Sequence, residues 1–259
     1  MKTSACAGYR QSLHSIQSEE GLLMFKFEVA PEVFRELPDV LFGVVYAQKL
    51  DNKTAQPKIE QRLAANIAAA EQQFHDNTEV RANTNIALYR AAFRTLAINP
   101  NKYKASIEAL LSRVAKQKGL PRINPLVDLG NAISLQYQIP IGAHDAATLL
   151  ANTESVRFTT AGDAFVPFGE TTAETPDEHE LVYVSGHEVR TRRWIWRQSQ
   201  QGEMTPDTQA VFFPLDGFTQ NKAQVLAARD DLAQTLQAIY GVTVTCGLVD
   251  VTQPTFIVE

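Results

Sequence analysis

Cysteine is nearly missing from this chain: Cys6 and Cys246 stand near opposite ends of 259 residues. Two distant thiols match neither a disulfide framework nor a zinc site, and they fit a reducing cytosol. No apolar run approaches the ~20 residues of a membrane-spanning helix. Lys2 and Arg10 are not followed by an apolar block and a small-residue cleavage site, so the start does not read as a secretion signal. Basic charge is also scarce. The net charge of −5 excludes a protein whose whole surface clings to nucleic acid, so any RNA contact must come from a local basic patch. The histidines are scattered with no His-Glu-x-x-His spacing, and there is no phosphate-binding glycine loop and no Gly-x-Ser-x-Gly elbow. Neither a metal nor a cofactor is implied.

What remains is the composition of an ordinary globular protein, 44% apolar and 20% charged. Residues 1–22 are polar and without a period, and are expected to be an extension to one domain over 23–259. Phe25, Phe27 and Val29 alternate with Lys26 and Glu28, a strand with one buried face. A second strand is expected from Asp39 to Ala47. Ile59, Leu63, Ile67, Ala70 and Phe74 then recur at helical steps, and Ile86, Tyr89, Phe93 and Leu96 repeat the pattern up to Asn99-Pro100. A third helix is expected from Tyr103 to Lys118, closed by Gly119, and a fourth from Asn124-Pro125. Asp145 suits the cap of a short helix ending near Leu150. Strands follow at Val156–Thr160, Ala164–Phe168, Leu181–Ser185, Val189–Arg197 and Ala210–Leu215. A helix from Asn221 to Tyr240 stops at Gly241, and Val242, Val244, Cys246 and Leu248 alternate as a last strand. Helices in one block before mostly non-alternating strands indicate an α+β fold with a mixed or antiparallel sheet.

Three segments carry polar groups at useful spacing. With a helix starting at Asn124, residues Asn124, Asp128 and Asn131 fall within about sixty degrees on its surface. The plain reading is a cap, a carboxylate at the helix dipole and a solvated amide. In Ile139-Pro140-Ile141-Gly142-Ala143-His144-Asp145, a His beside an Asp suits holding a water or hydroxyl, or Asp145 simply caps a helix. Over 190–197 four arginines, Arg190, Arg192, Arg193 and Arg197, bracket both tryptophans, Trp194 and Trp196. As one strand, Arg192, Trp194 and Trp196 would share a face, with guanidinium groups for phosphates and indoles for stacking a base. Otherwise the tryptophans fill the core and the arginines pair with acids.

The run Gly119-Leu-Pro-Arg-Ile-Asn-Pro-Leu-Val-Asp-Leu-Gly-Asn131, followed by Ile139-Pro140 and Asp145, resembles the B3/B4 editing region of the phenylalanyl-tRNA synthetase β subunit. That family reads roughly Arg-Pro-Ile-Asn-Asn-Val-Val-Asp-Val-Thr-Asn and then Gln-Pro-Met-His-Ala-Phe-Asp. Gly202 to Phe213 is similar to its later segment, and Arg193-Trp-Ile-Trp-Arg-Gln198 resembles the form found in stand-alone members. The likeness spans roughly residues 100–218 and includes no aminoacylation core. It implies a trans-acting deacylase of mischarged tRNA, in which positioned polar groups rather than a strong nucleophile direct water at the ester. By that resemblance Asn131, His144 and Asp145 would serve catalysis, and Asn124, Asp128, Trp196 and Gln198 would bind substrate. Arg190, Arg193 and Arg197 would meet tRNA, with an aminoacyl group as ligand and no DNA or membrane partner. The chain departs from the family at Gly130 (threonine there), Gly142 (the histidine) and Pro214 (the glutamate that reads the tyrosine hydroxyl). Losing that acceptor removes the reward for tyrosine. A non-catalytic RNA- or amino-acid-binding module, and a hydrolase of small amino-acid esters, are the alternatives.

Overall fold

The computed structural model describes residues 24–259; the extension expected at 1–22, with Cys6 and His14, lies outside them. In chain order the elements are β1 (Phe25–Val29), α1 (Pro31–Glu36), β2 (Val40–Gln48), α2 (Pro57–Gln73), α3 (Asn77–Ala82), α4 (Thr84–Thr95), α5 (Ser106–Val114) and α6 (Pro125–Tyr137). There follow β3 (His144–Asp145), β4 (Thr153–Phe158), β5 (Leu181–Ser185), β6 (Glu188–Arg192), β7 (Arg197–Gln198), β8 (Ala210–Phe218), α7 (Lys222–Tyr240), β9 (Val244–Val249) and β10 (Thr255–Val258). The α+β class stands, with two sheets. A six-stranded mixed sheet runs β10-β1-β4-β5-β6-β7, with β1 and β4 parallel, and a four-stranded antiparallel sheet runs β3-β8-β2-β9.

The period of two along β2 and β8 divides the interior. Leu41 and Val45 on β2, with Val211, Phe213 and Leu215 on β8, face α6 and α7 and meet Leu126, Leu129, Val225 and Leu232. Phe42, Val44 and Phe212 point the other way, into the core shared with the six-stranded sheet. There Phe27 of β1 lies tilted against Phe212 at 4.9 Å, and Tyr183 of β5 meets Phe42 edge-on at 6.4 Å. Two glycines let α7 lie close on the sheet. A Cβ at Gly43 would come within 2.9 Å of Val225 Cγ1, and one at Gly217 within 2.3 Å of Val225 Cγ2.

Local chemistry fixes the helix that leads to the site. Asn124 accepts from Val127 N at 3.0 Å, Pro125 opens α6, and Gln138 ends it in the left-handed region. The expected third helix is shorter than Tyr103 to Lys118. Ser106 N donates to Ile195 O at 2.8 Å, and Gln117 at φ 55° turns the chain before Gly119. Ala164–Phe168 makes isolated bridges instead of a strand, in keeping with Pro167, which has no N–H to donate.

The arginine-tryptophan strand is also corrected. It stops at Arg192, because Arg193 and Trp194 are left-handed (φ 46° and 61°) and fold the chain into a hairpin that pairs Arg192 with Arg197. Arg192, Trp194 and Trp196 therefore share no face.

The fit of α7 on β8 is tight enough to test. Gly217→Ala should lower the unfolding free energy by about 1–3 kcal/mol through overpacking against Val225. Urea titration against the wild type reads this directly, and an unchanged midpoint would mean that α7 shifts freely.

Candidate functional site

The segment between α6 and β3 is zipped to β8. Asp216 N donates to Pro140 O at 3.2 Å and Gly142 N to Pro214 O at 2.9 Å, while His144 and Asp145 pair with Phe212 and Val211. Strand alternation then sends His144 inward, to the core between the sheets, and Asp145 away from it. A cavity of about 80 Å3 opens there. Its floor is buried: His144, Tyr183, Trp194 and Asp216. Its rim is partly exposed and includes Ser106, Gly142, Trp196 and Gln198. Gln198 Nε2 ties the rim to Ala143 O at 2.8 Å.

The polar groups on the floor are linked. Asp216 Oδ1 accepts from Tyr183 Oη at 2.7 Å and from Trp194 Nε1 at 2.6 Å. Burial raises the Asp216 carboxyl to about 7; the hydrogen bonds from Tyr183 and Trp194 and the charge of His144 oppose that rise. Burial beside this acid also pushes the Tyr183 phenol up. His144 Nδ1 contacts Glu154 Oε1, and both side chains are almost fully enclosed. Glu154 Oε2 is buried with no hydrogen-bond partner among the described residues.

Gly142 accounts for the place of His144. A Cβ at 142 would lie 2.9 Å from His144 Nε2 and 3.0 Å from Pro214 Cγ, so the imidazole occupies the space a side chain there would need. With its Nδ1 held by Glu154, the ring lines the cavity beside Gly142.

The other candidates are placed as follows. Trp196 and Gln198 line the cavity with His144. Asn131 is half-buried on α6 and does not line it. Asp145 accepts from Ala147 N at 3.0 Å and from Thr208 Oγ1 at 2.6 Å, so it caps the turn at 146–148 and does not line the cavity. Asn124, besides capping α6, donates to Met204 O at 2.9 Å. Asp128 is buried and accepts from Arg122 Nε at 2.6 Å and Ile123 N at 3.1 Å. These two brace α6 and do not reach the cavity.

Two of the three arginines assigned to tRNA are committed elsewhere. Arg190 is 1% exposed, donating to Thr148 and Glu188. Arg193 pairs with Asp177 at 2.6 Å and lies over the Tyr103 and Trp196 rings. Arg197 is half-exposed, with no ion pair among the described residues.

Glu154 and Asp216 were not singled out by the sequence reading. Glu154 shares the inward register of Val156 and Phe158 on β4, and Asp216 sits inside the apolar run Phe212-Phe-Pro-Leu-Asp-Gly-Phe218. An acid at an inward strand position is a readable signal, but its partners are not.

A family model for the B3/4 domain matches residues 88–238, more than half of the chain. The protein belongs to the B3/4 domain family. Within this B3/4 chain the match holds α5, α6, the cavity lining and most of α7. A crystal structure of an N-terminal fragment of the phenylalanyl-tRNA synthetase β-subunit from Pyrococcus horikoshii is similar with a TM-score of 0.44 and 12% identity, over 84% of this chain and 49% of that one. The B3/4 chain thus spans about half the length of that fragment. No curated protein matches the sequence. Among the described residues, no helix is long and apolar enough to cross a membrane, and no group of three or more His, Cys, Asp or Glu could hold a metal ion.

The buried acid should be visible in the pH dependence of stability. Folded Asp216 titrates near 7 against a reference of 3.8, so between those values the native state binds more protons than the unfolded chain. Its contribution is full below about pH 4 and is lost as pH rises toward 7. Asp216→Asn keeps an acceptor for Tyr183 and Trp194 and removes the titration. Its stability relative to wild type should rise across that window, by on the order of 1–3 kcal/mol at pH 8. Urea midpoints at pH 5 and pH 8 measure it; a pH-independent difference would put the acid's titration elsewhere.

Proposed function

We propose that this B3/4 protein hydrolyses the ester of a mischarged aminoacyl-tRNA in trans, with His144 as the general base and Glu154 as the group that orients it. The observation that carries this reading is His144 on the floor of a cavity between the sheets, with its Nδ1 enclosed against Glu154 behind it. A carboxylate on one imidazole nitrogen fixes the tautomer and supports the imidazolium that forms when the other nitrogen takes a proton. In the proposed step, His144 Nε2 removes a proton from water as its oxygen bonds to the ester carbon. The carbon–oxygen bond to the ribose then breaks, and the proton returns to the leaving hydroxyl. Gln198 and Trp196 at the rim would hold the acceptor end, and Arg197 would meet a phosphate. Asn131, half-buried on α6, does not line the cavity and is given no part in this step.

The commitment of Arg190 and Arg193 to acidic partners favours a second reading, a binding module on the same fold whose contact with RNA is slight. Deacylation of a panel of mischarged tRNAs, Tyr-tRNA-Phe among them, separates the two. Hydrolysis should fall by about 100-fold or more in His144→Gln. Glu154→Gln should lose about tenfold, with a changed pH–rate profile, because the ring loses its charged partner. A panel left intact by the wild type would sink the hydrolytic reading. Salt-sensitive tRNA binding would then support the module, and Arg197→Glu should reduce its salt slope by about one.

A further inference from the structure

We propose that the cavity takes a small aminoacyl side chain bearing a hydroxyl group, serine or threonine in kind, and that Asp216 is the residue that reads the hydroxyl. This rests on the hydrolytic reading above and adds its substrate class.

Size comes first. An enclosed cavity of about 150 Å3 is known to take a benzene ring, and this one is about 80 Å3. The Pro214 ring forms one wall, and its Cγ lies close to the space above Gly142. That volume favours a side chain of one to three heavy atoms over a phenyl or phenol ring.

Chemistry narrows the choice. Asp216 lines the cavity while only 1% exposed, and both of its donors, Tyr183 Oη and Trp194 Nε1, converge on Oδ1. Among the described residues no other side chain donates to Oδ2, so a ligand inside can pair with it. A hydroxyl is both donor and acceptor, and it satisfies this carboxyl whether or not the acid is ionised. A methyl group in the same place would bury the carboxyl without a partner, which penalises alanine. The Thr191 and Ser106 hydroxyls line the same cavity and make no side-chain hydrogen bond among the described residues. They give a polar substituent further partners. An apolar cavity of this size would hardly separate serine from alanine, but one built to pair a hydroxyl does.

Binding of non-cleavable 3′-aminoacylamino-3′-deoxyadenosines by calorimetry tests this without requiring chemistry. The seryl and threonyl compounds should bind at least tenfold more tightly than the alanyl and 2-aminobutyryl ones, and the phenylalanyl compound should bind worst. Asp216→Leu should remove the seryl preference. If that variant does not fold, Asp216→Asn keeps the acceptor for Tyr183 and Trp194, offers the cavity only a donor, and should cut the preference at least threefold at pH 8. Equal affinity for seryl and alanyl compounds, tighter binding of the phenylalanyl compound, or binding of none would overturn the inference. Failure of the wild type to cleave any mischarged tRNA, with the seryl preference intact, would count against the hydrolytic reading alone.

Discussion

The carboxyl of Asp216 joins the two sheets and the hairpin turn at the buried centre of the molecule. Through Oδ1 it holds Tyr183 of β5 and Trp194 of the hairpin turn, so the four-stranded sheet is tied to the six-stranded one. Through its main-chain carbonyl it accepts from Tyr89 Oη of α4 at 2.9 Å, and Asn221 donates to that same phenol at 3.0 Å. Burying an acid is costly, and the molecule meets the cost with two donors and a raised pKa. Removing the acid would leave the Tyr183 hydroxyl and the Trp194 N–H buried without a partner, at about 1–3 kcal/mol each. The frame and the cavity floor therefore share one residue. A change made there for chemistry is also a change in stability.

The second dependence is between Gly142 and His144. Only a residue without a Cβ leaves room for the imidazole where it lies, and only β3 pairing with β8 turns residue 144 inward and 145 outward. A shift of one residue would exchange the two faces, placing Asp145 in the core and His144 on Thr208. Glu154 on the neighbouring sheet completes the arrangement by presenting its carboxylate to Nδ1. Gly142, the pairing of β3 with Phe212 of β8, and Glu154 together thus define the imidazole's position.

Much of this was legible in the sequence where local physics decides. The helices at 57–73, 84–95, 125–137 and 222–240 follow from one-sided apolar stripes and from stops such as Asn124-Pro125 and Gly241. The role of Asn124 as a cap was open beside its role as a ligand, and its hydrogen bonds support the cap. Pairing between distant strands was not legible. Arg193 and Trp194 turn left-handed without a glycine, so nothing local marks the break. The turn is secured from outside, by Trp194 on Asp216 and by Arg193 N donating to Glu180 at 2.8 Å. The same limit hid Glu154 and Asp216, whose meaning depends on which residues face them across the core.

The arginines complete the argument about partners. In an acidic chain, four arginines over 190–197 look like a phosphate-binding patch. Arg192, however, is held by Glu174 and Glu180, Arg193 by Asp177, and Arg190 by Glu188 and Thr148. These pairs fasten the acidic loop over the hairpin and leave Arg197 as the member of the run without an ion pair among the described residues. Lys102 lies over the Tyr103 ring, which meets Trp196 edge-on at the cavity rim, and adds one exposed charge nearby. For the proposed RNA contact, one or two cations at this rim, on a body of net charge −5, give a weak phosphate term with a shallow salt dependence. Under the proposed function, selectivity on such a surface has to come from what enters the cavity rather than from the length of nucleic acid outside it. In that proposal the burden of recognition falls on His144, Gln198 and Asp216, the groups that the two sheets bring together.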